Sequence, residues 1–174
     1  MIPISDPDLA HYRDRPVVTI TLIALNVLVF LYMVSLSTLD HFIFVYRYGV
    51  IPAELMQGAE LGNALLGAQR IPVDLSSPVP TWATVLTSMF LHGGWMHLGG
   101  NMLFLWVFGD NVEHRFGHLR YLLIYFGTGI IAASTQIFIN PGSDVPMVGA
   151  SGAIAGILGS YLLLFPYSRI NTLI

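Results

Sequence analysis

Four long apolar stretches alternate with polar segments along the 174 residues of the chain. The first runs from 17 to 36 without a charged residue, and the others cover 94–112, 119–139 and 149–165. About 20 apolar residues in a helix are enough to cross a hydrocarbon core of about 30 Å. The pattern therefore predicts an all-α polytopic membrane protein with four transmembrane helices.

The connections between these stretches differ in character. Residues 1–16 are polar, whereas the outer connection, 37–93, is long and not uniformly hydrophilic. Within it, 41–48 mixes aromatic and charged residues, which is typical of the membrane interface. Residues 58–77 predict an open loop, and 82–92 predict a short helix that enters or lies on the membrane. We interpret 1–174 as one membrane domain.

Composition supports this class and excludes several others. The chain is 55% hydrophobic and 10% charged, whereas soluble domains have roughly 25% charged residues. A net charge of −3 without any lysine gives no basic patch for nucleic acid. The absence of cysteine excludes disulfides, a thiolate nucleophile and cysteine-ligated metals. We expect no cofactor and no metal, and the lipid bilayer as the surroundings.

The arginines predict how the chain is oriented. Two of the seven fall in the long connection, at 47 and 70, and the others lie near the predicted inner ends of the helices, at 13, 15, 115, 120 and 169. The positive-inside rule then places both termini in the cytoplasm. The connections around 37–93 and Asp144 face outward. The predicted location is the plasma (inner) membrane.

A serine opens the fourth apolar stretch. Residues 140–146 are rich in turn formers, so a helix is expected to begin just after Pro146 and to hold Ser151 near its first turn. Free N–H groups and the helix dipole favour negative charge there. Three glycines, at 152, 156 and 159, form one stripe that predicts close helix packing. A purely packing role for Ser151 is the alternative.

Two polar residues of the second apolar stretch are predicted to lie at the depth of this serine. His97 precedes Glu113 by 16 residues, and Ser151 precedes Arg169 by 18, which correspond to about 24 Å and 27 Å of helix. Asn101 follows His97 by one turn on the same face. Such residues can hydrogen-bond neighbouring helices, but polar groups inside a membrane favour a functional site. Acyl transfer, with Ser151 as nucleophile and an oxyanion bound by His97 and Asn101, fits best.

These residues resemble a known family. The stretch from His92 through His97 to Asn101, followed by Gly149-Ala150-Ser151-Gly152, is similar to the motifs of the rhomboid intramembrane serine proteases. The resemblance implies a core of six helices that cleaves transmembrane protein substrates. It assigns Ser151 as the nucleophile and His97 and Asn101 as oxyanion-binding residues, with a structural hydrogen-bonding role for His92.

The resemblance also implies that Glu113 and Arg115 connect helix ends. We expect these two residues to form a solvated ion pair at a helix terminus, of little energetic value.

The sequence departs from the rhomboid pattern in three places. A tryptophan–arginine pair is replaced by Trp82-Ala83, and an aromatic position after the serine is Ala155. The family's base is a histidine on the sixth helix, but the histidines here all precede the serine, at 11, 41, 92, 97, 114 and 118. We therefore expect these 174 residues to be inactive alone and to need the remaining helices, on the same chain or as a separate segment.

Three hypotheses remain from the sequence. The first is the nucleophile-bearing portion of a rhomboid protease. The second is a non-catalytic rhomboid-like protein that binds or escorts transmembrane clients, although binding alone does not require the serine, histidine and asparagine together. The third is a small channel lined by His97 and Asn101, which the apolar run at 102–108 disfavours.

Overall fold

A computed structural model describes residues 2–5, 15–58, 63–66 and 71–173. Most of the predicted cytoplasmic segment 1–16, including His11 and Arg13, lies outside the described residues, as does Arg70. The protein is mainly helical. Its helices are α1 (Val17–Ser35), α2 (Thr38–Tyr48), α3 (Pro52–Gln57), α4 (Thr84–Thr87), α5 (Trp95–Phe116), α6 (His118–Ile139) and α7 (Ser151–Leu164).

The predicted elements appear with shifted ends. Helices α1, α5, α6 and α7 correspond to the four apolar stretches. The segment expected to be a short helix is α4, flanked by 3-10 turns at Thr81–Ala83 and Ser88–Phe90. The expected open loop also contains an antiparallel hairpin of β2 (Asn63–Leu66) and β3 (Ile71–Asp74).

Four helices surround the core. Helix α7 packs against both α5 and α6, and α1 packs against α5. The core contains large fully buried side chains from all four helices, among them Leu22, Leu105, Phe108, Tyr121, Tyr125, Ile157 and Tyr161. A second pair of strands, β1 (Ile2–Ser5) and β4 (Asn171–Leu173), joins the beginning of the chain to the segment after α7.

Among the residues that the structure describes, two helices are long and apolar enough to cross a membrane by length and composition, α1 and α6. Helix α5 has 22 residues but carries polar and charged groups. Helix α7 has 14 residues, or about 21 Å, which is less than a hydrocarbon core of about 30 Å. Four membrane spans stay a prediction.

Glu113 is not part of a solvated ion pair, so that expectation was wrong. The side chain is 1% exposed. Its two oxygens accept hydrogen bonds from the backbone N–H of Val18 (2.8 Å), from the N–H and hydroxyl of Thr19 (both 2.7 Å) and from Nδ1 of His118 (2.6 Å). Arg115 is exposed instead. Glu113 therefore satisfies the free N–H groups at the start of α1 and joins the ends of α1, α5 and α6.

The glycine stripe on α7 is only partly an interface. A Cβ added to Gly152 would lie 2.5 Å from Cβ of Ala132, and one added to Gly156 would overlap Thr128. Both partners are on α6, so these glycines allow the two helices to approach closely. A Cβ at Gly159 would meet nothing within 4 Å. The prediction was wrong for Gly159 because the helix–helix contact ends before that turn.

Candidate active site

Ser151 is the first residue of α7, and Ala150 is its N-cap. The helix begins later than expected, because the preceding segment is extended and bonded to the outer connection. Val50 and Met147 exchange two backbone hydrogen bonds of 3.2 and 2.8 Å, and the N–H of Gly149 donates to the carbonyl of Ser88 at 2.8 Å. These bonds fix the backbone that leads into Ser151.

His97 approaches this backbone at Gly149. A Cβ built on Gly149 would lie 2.7 Å from Nε2 of His97 and 3.8 Å from Oγ of Ser151. The imidazole thus occupies the space that a side chain at 149 would fill. Gly149 also has φ = 122°, a conformation that disfavours other residues. Glycine at position 149 therefore permits both this backbone conformation and the close approach of His97.

Asn101 is held by His92. Nδ2 of Asn101 lies 2.9 Å from Nε2 of His92. Because an amide nitrogen only donates, His92 accepts at Nε2 and carries its proton on Nδ1. His92 has no exposed surface. Burial, with a contribution from the neighbouring His97, lowers the pKa of His92 to about 4. The structural hydrogen-bonding role predicted for His92 is confirmed.

Ser151, His97 and Asn101 line the same cleft. It measures about 360 Å³ and lies between α5 and α7. Ser151 is exposed, and His97 and Asn101 are partly buried. Apolar side chains complete the lining, including Phe104, Ile154 and Leu158. The cleft combines three convergent polar groups with an apolar wall, as small-ligand and peptide sites do.

A second cavity of about 260 Å³ lies on the other side of Ser151. It is bordered by α6, by the segment around Ser88 and by the backbone of Met147 to Gly149. Ser151 therefore separates two cavities. Among the described residues, no three histidines or carboxylates are grouped as a metal site would require.

Oγ of Ser151 is not hydrogen-bonded to His97 or Asn101 anywhere in the described ranges. The three side chains therefore share the cleft without a hydrogen bond from the serine hydroxyl to either of the other two.

His97, Asn101 and Ser151 all lie in a stretch that matches a known protein family. The Rhomboid domain family matches residues 80–174, which is more than half of the chain and includes α5, α6 and α7. The chain belongs to the rhomboid family. Membership implies a polytopic helical membrane protein of the intramembrane serine protease family.

Several curated relatives are called rhomboid proteases. Rhomboid protease GluP of Bacillus subtilis is 43% identical over 81 residues, covering 47% of this chain and 15% of the relative. The putative rhomboid protease YdcA of the same organism is 37% identical over 83 residues, covering 48% and 41%. Rhomboid protease AarA of Providencia stuartii is 30% identical over 132 residues, covering 68% and 46%.

The rhomboid chain thus matches less than half of the length of each of these relatives. No solved structure matches it.

The sequence did not identify the residues that hold the backbone before Ser151 in place. Val50 and Ser88 contribute only backbone hydrogen bonds to this segment, and such bonds do not depend on the type of side chain. Gly149 offered a signal, since glycine readily adopts positive φ and so permits backbone conformations that other residues avoid.

Proposed function

We propose that this rhomboid chain is an intramembrane serine endopeptidase that cleaves transmembrane segments of membrane proteins through an acyl-enzyme. The observation that carries the proposal is the cleft in which an exposed serine at a helix start faces a histidine and an asparagine. The relatives that are named as rhomboid proteases support the same activity.

In the proposed mechanism, Oγ of Ser151 attacks the carbonyl carbon of the scissile peptide bond. The carbonyl oxygen becomes an oxyanion and receives hydrogen bonds from the N–H of Ser151, from the imidazole of His97 and from the amide of Asn101. Asn101 is suited to this role because its NH₂ group has two protons, and His92 takes only one. Collapse of the tetrahedral intermediate expels the amine and leaves the acyl-enzyme.

The base that accepts the serine proton is, in this proposal, a histidine outside these 174 residues. Of the histidines that the structure describes, His97 lines the cleft with Ser151. If His97 donates a proton to the oxyanion, the same imidazole cannot readily accept the serine proton from the same substrate. An unassisted serine hydroxyl is a weak nucleophile, so the 174 residues alone should cleave nothing above background.

The test compares two serines of one helix in a reconstituted cleavage assay. The chain is assayed with additional rhomboid helices that carry the base, supplied on the same chain or separately, and with a membrane-spanning substrate. Ser151→Ala should abolish cleavage. The control is Ser160→Ala, because Ser160 donates to the carbonyl of Gly156 within α7 and lies outside the cleft.

Three outcomes separate the hypotheses. Cleavage that survives Ser151→Ala would remove the nucleophile assignment. Robust Ser151-dependent cleavage by the 174 residues alone would make His97 the base. The client-binding hypothesis would be supported if wild type and Ser151→Ala both retained a transmembrane client and no combination of segments cleaved it.

We also propose that both ends of these residues are cytoplasmic, in an inner membrane. The chain has no cysteine, so single cysteines can be introduced at the exposed positions Asp144 and Arg115. An impermeant thiol reagent applied to intact cells should label position 144 and not 115. The reverse pattern would invert the orientation and place Ser151 near the inner side.

A further inference from the structure

The corner between α5 and α6 carries two exposed arginines. Helix α5 ends at Phe116 and α6 begins at His118, with only Gly117 between them. Arg115 and Arg120 flank this corner, and both are exposed. The sequence contains no acidic residue from 114 to 143. The corner therefore has two exposed guanidinium groups and no neighbouring carboxylate on α6.

Glu113, the acidic residue nearest to these arginines in the sequence, does not neutralise them. Glu113 is buried, and its oxygens are taken by Val18, Thr19 and His118. The positions three and four residues away, where a helical ion pair would form, hold no acid for either arginine. Within the part of the chain that the structure describes, neither guanidinium has a hydrogen bond or ion pair.

An exposed apolar surface continues from the charged corner along α6. Leu119 is 72% exposed and Leu123 is 66% exposed. They are one turn apart on the same face, and Arg120 lies between them along the helix, three residues before Leu123. Ile130 extends this apolar face along the helix.

We propose that this corner binds an anionic phospholipid. Arg115 and Arg120 bind the headgroup phosphate, which suits the paired N–H donors of a guanidinium. Leu119 and Leu123 contact an acyl chain. The exposed leucines on either side of Arg120 favour a lipid over a free anion, because a free phosphate gains nothing from exposed leucines. Basic sites at helix ends are known to select anionic headgroups. The proposal does not depend on the proteolytic function.

The experiment measures lipid retention by native mass spectrometry of the detergent-solubilised chain. Dioleoyl phosphatidylglycerol should be retained in preference to dioleoyl phosphatidylcholine, which has the same acyl chains and no net charge. Arg115→Gln and Arg120→Gln should each weaken phosphatidylglycerol binding by about fivefold, as expected for one basic residue near an anionic lipid. Arg115→Lys with Arg120→Lys should retain much of the affinity, since the charge is kept.

Two matched controls locate the site. Arg47→Gln changes an arginine of α2, beyond the far end of α1, that is ion-paired with Asp74, and should leave binding unchanged. Leu123→Gln should weaken binding, whereas Leu163→Gln, at an exposed leucine of α7, should not. Melting temperatures in lipid-free detergent establish that each variant is folded.

Specific outcomes would overturn the proposal. They are equal retention of the two lipids, unchanged phosphatidylglycerol binding in the double glutamine variant, or an equal loss in Arg47→Gln. Inorganic phosphate is the probe for the other source of the same chemistry. If phosphate alone raised the melting temperature through both arginines and Leu123→Gln had no effect on phosphatidylglycerol binding, the site would be a free-anion site and not a lipid site.

Discussion

Asn101 and His92 form a hydrogen bond of 2.9 Å between a residue that lines the cleft and one that is completely buried. His92 precedes α5, and Asn101 lies in its second turn. The bond fixes the direction of the Asn101 amide before a substrate arrives. Such preorganisation is the main physical requirement for stabilising an oxyanion.

The burial of His92 predicts a pH dependence of stability. The pKa of His92 is lowered to about 4 in the folded protein, whereas an unfolded histidine has a pKa of about 6.5. The unfolded chain therefore binds more protons between these values, and stability is lost as the pH falls from about 6.5 towards 4. The loss should be on the order of 2–3 kcal/mol.

Unfolding in detergent over a pH series measures this effect. The control is His92→Gln, which keeps a polar group but does not titrate. The variant should be less stable at pH 8, yet its stability should fall less steeply between pH 6.5 and 4. Parallel curves for wild type and variant would show that His92 is not responsible.

Gly149→Ala should impair the site more than the fold. The new Cβ would lie 2.7 Å from Nε2 of His97 at a backbone φ of 122°, so the imidazole must move away from the proposed oxyanion position. In the reconstituted cleavage assay, the rate should fall by about 10²-fold, the cost of one lost oxyanion donor.

Gly99→Ala is the matched change, because a Cβ at Gly99 meets nothing within 4 Å. It should leave cleavage close to wild type. Equal rates for both variants would show that the Gly149 contact does not position His97.

Gly156→Ala should destabilise the contact between α6 and α7. The added methyl group would overlap Thr128, and overpacking of this kind costs about 1–3 kcal/mol. Replacement of Thr128 by alanine in the same chain should recover part of the loss. Gly159→Ala adds the same methyl group in open space and should not lower the melting temperature. A similar decrease for both glycine variants would argue against close packing at Gly156.

Glu113→Ala should be strongly destabilising. It removes the acceptor for two backbone N–H groups at the start of α1, and each buried donor left unsatisfied costs about 1–3 kcal/mol. Glu113→Gln keeps an acceptor oxygen and should cost less. Arg115→Ala, at an exposed position two residues away, should change the free energy of unfolding by no more than about 0.5 kcal/mol. Equal losses of stability in Glu113→Ala and Arg115→Ala would instead support the solvated ion pair.

The sequence was sufficient to predict the four long helices, the short helix α4 and the meeting of three polar side chains at one cleft, but it did not predict α2 and α3 in the long connection. The length of an apolar stretch is a local signal, and His97, Asn101 and Ser151 are chemically unusual where they occur. The role of Glu113 could not be predicted, because its partners Val18 and Thr19 are distant in sequence and contribute mainly backbone atoms. Gly156 and Gly159 share a face of α7, but only the three-dimensional path of α6 decides which of them has a neighbour.

The shortness of α7 has a consequence for hydrolysis, which requires water at a depth where a bilayer holds almost none. A helix of 14 residues spans about 21 Å, about 9 Å less than the hydrocarbon core. In the proposed membrane orientation, with the last turn of α7 at one boundary, Ser151 lies below the other boundary by about that distance. Water would reach the exposed hydroxyl there, whereas the peptide bonds of a substrate at greater depth would stay dry. In the proposed protease, helix length would thereby select which peptide bond is hydrolysed.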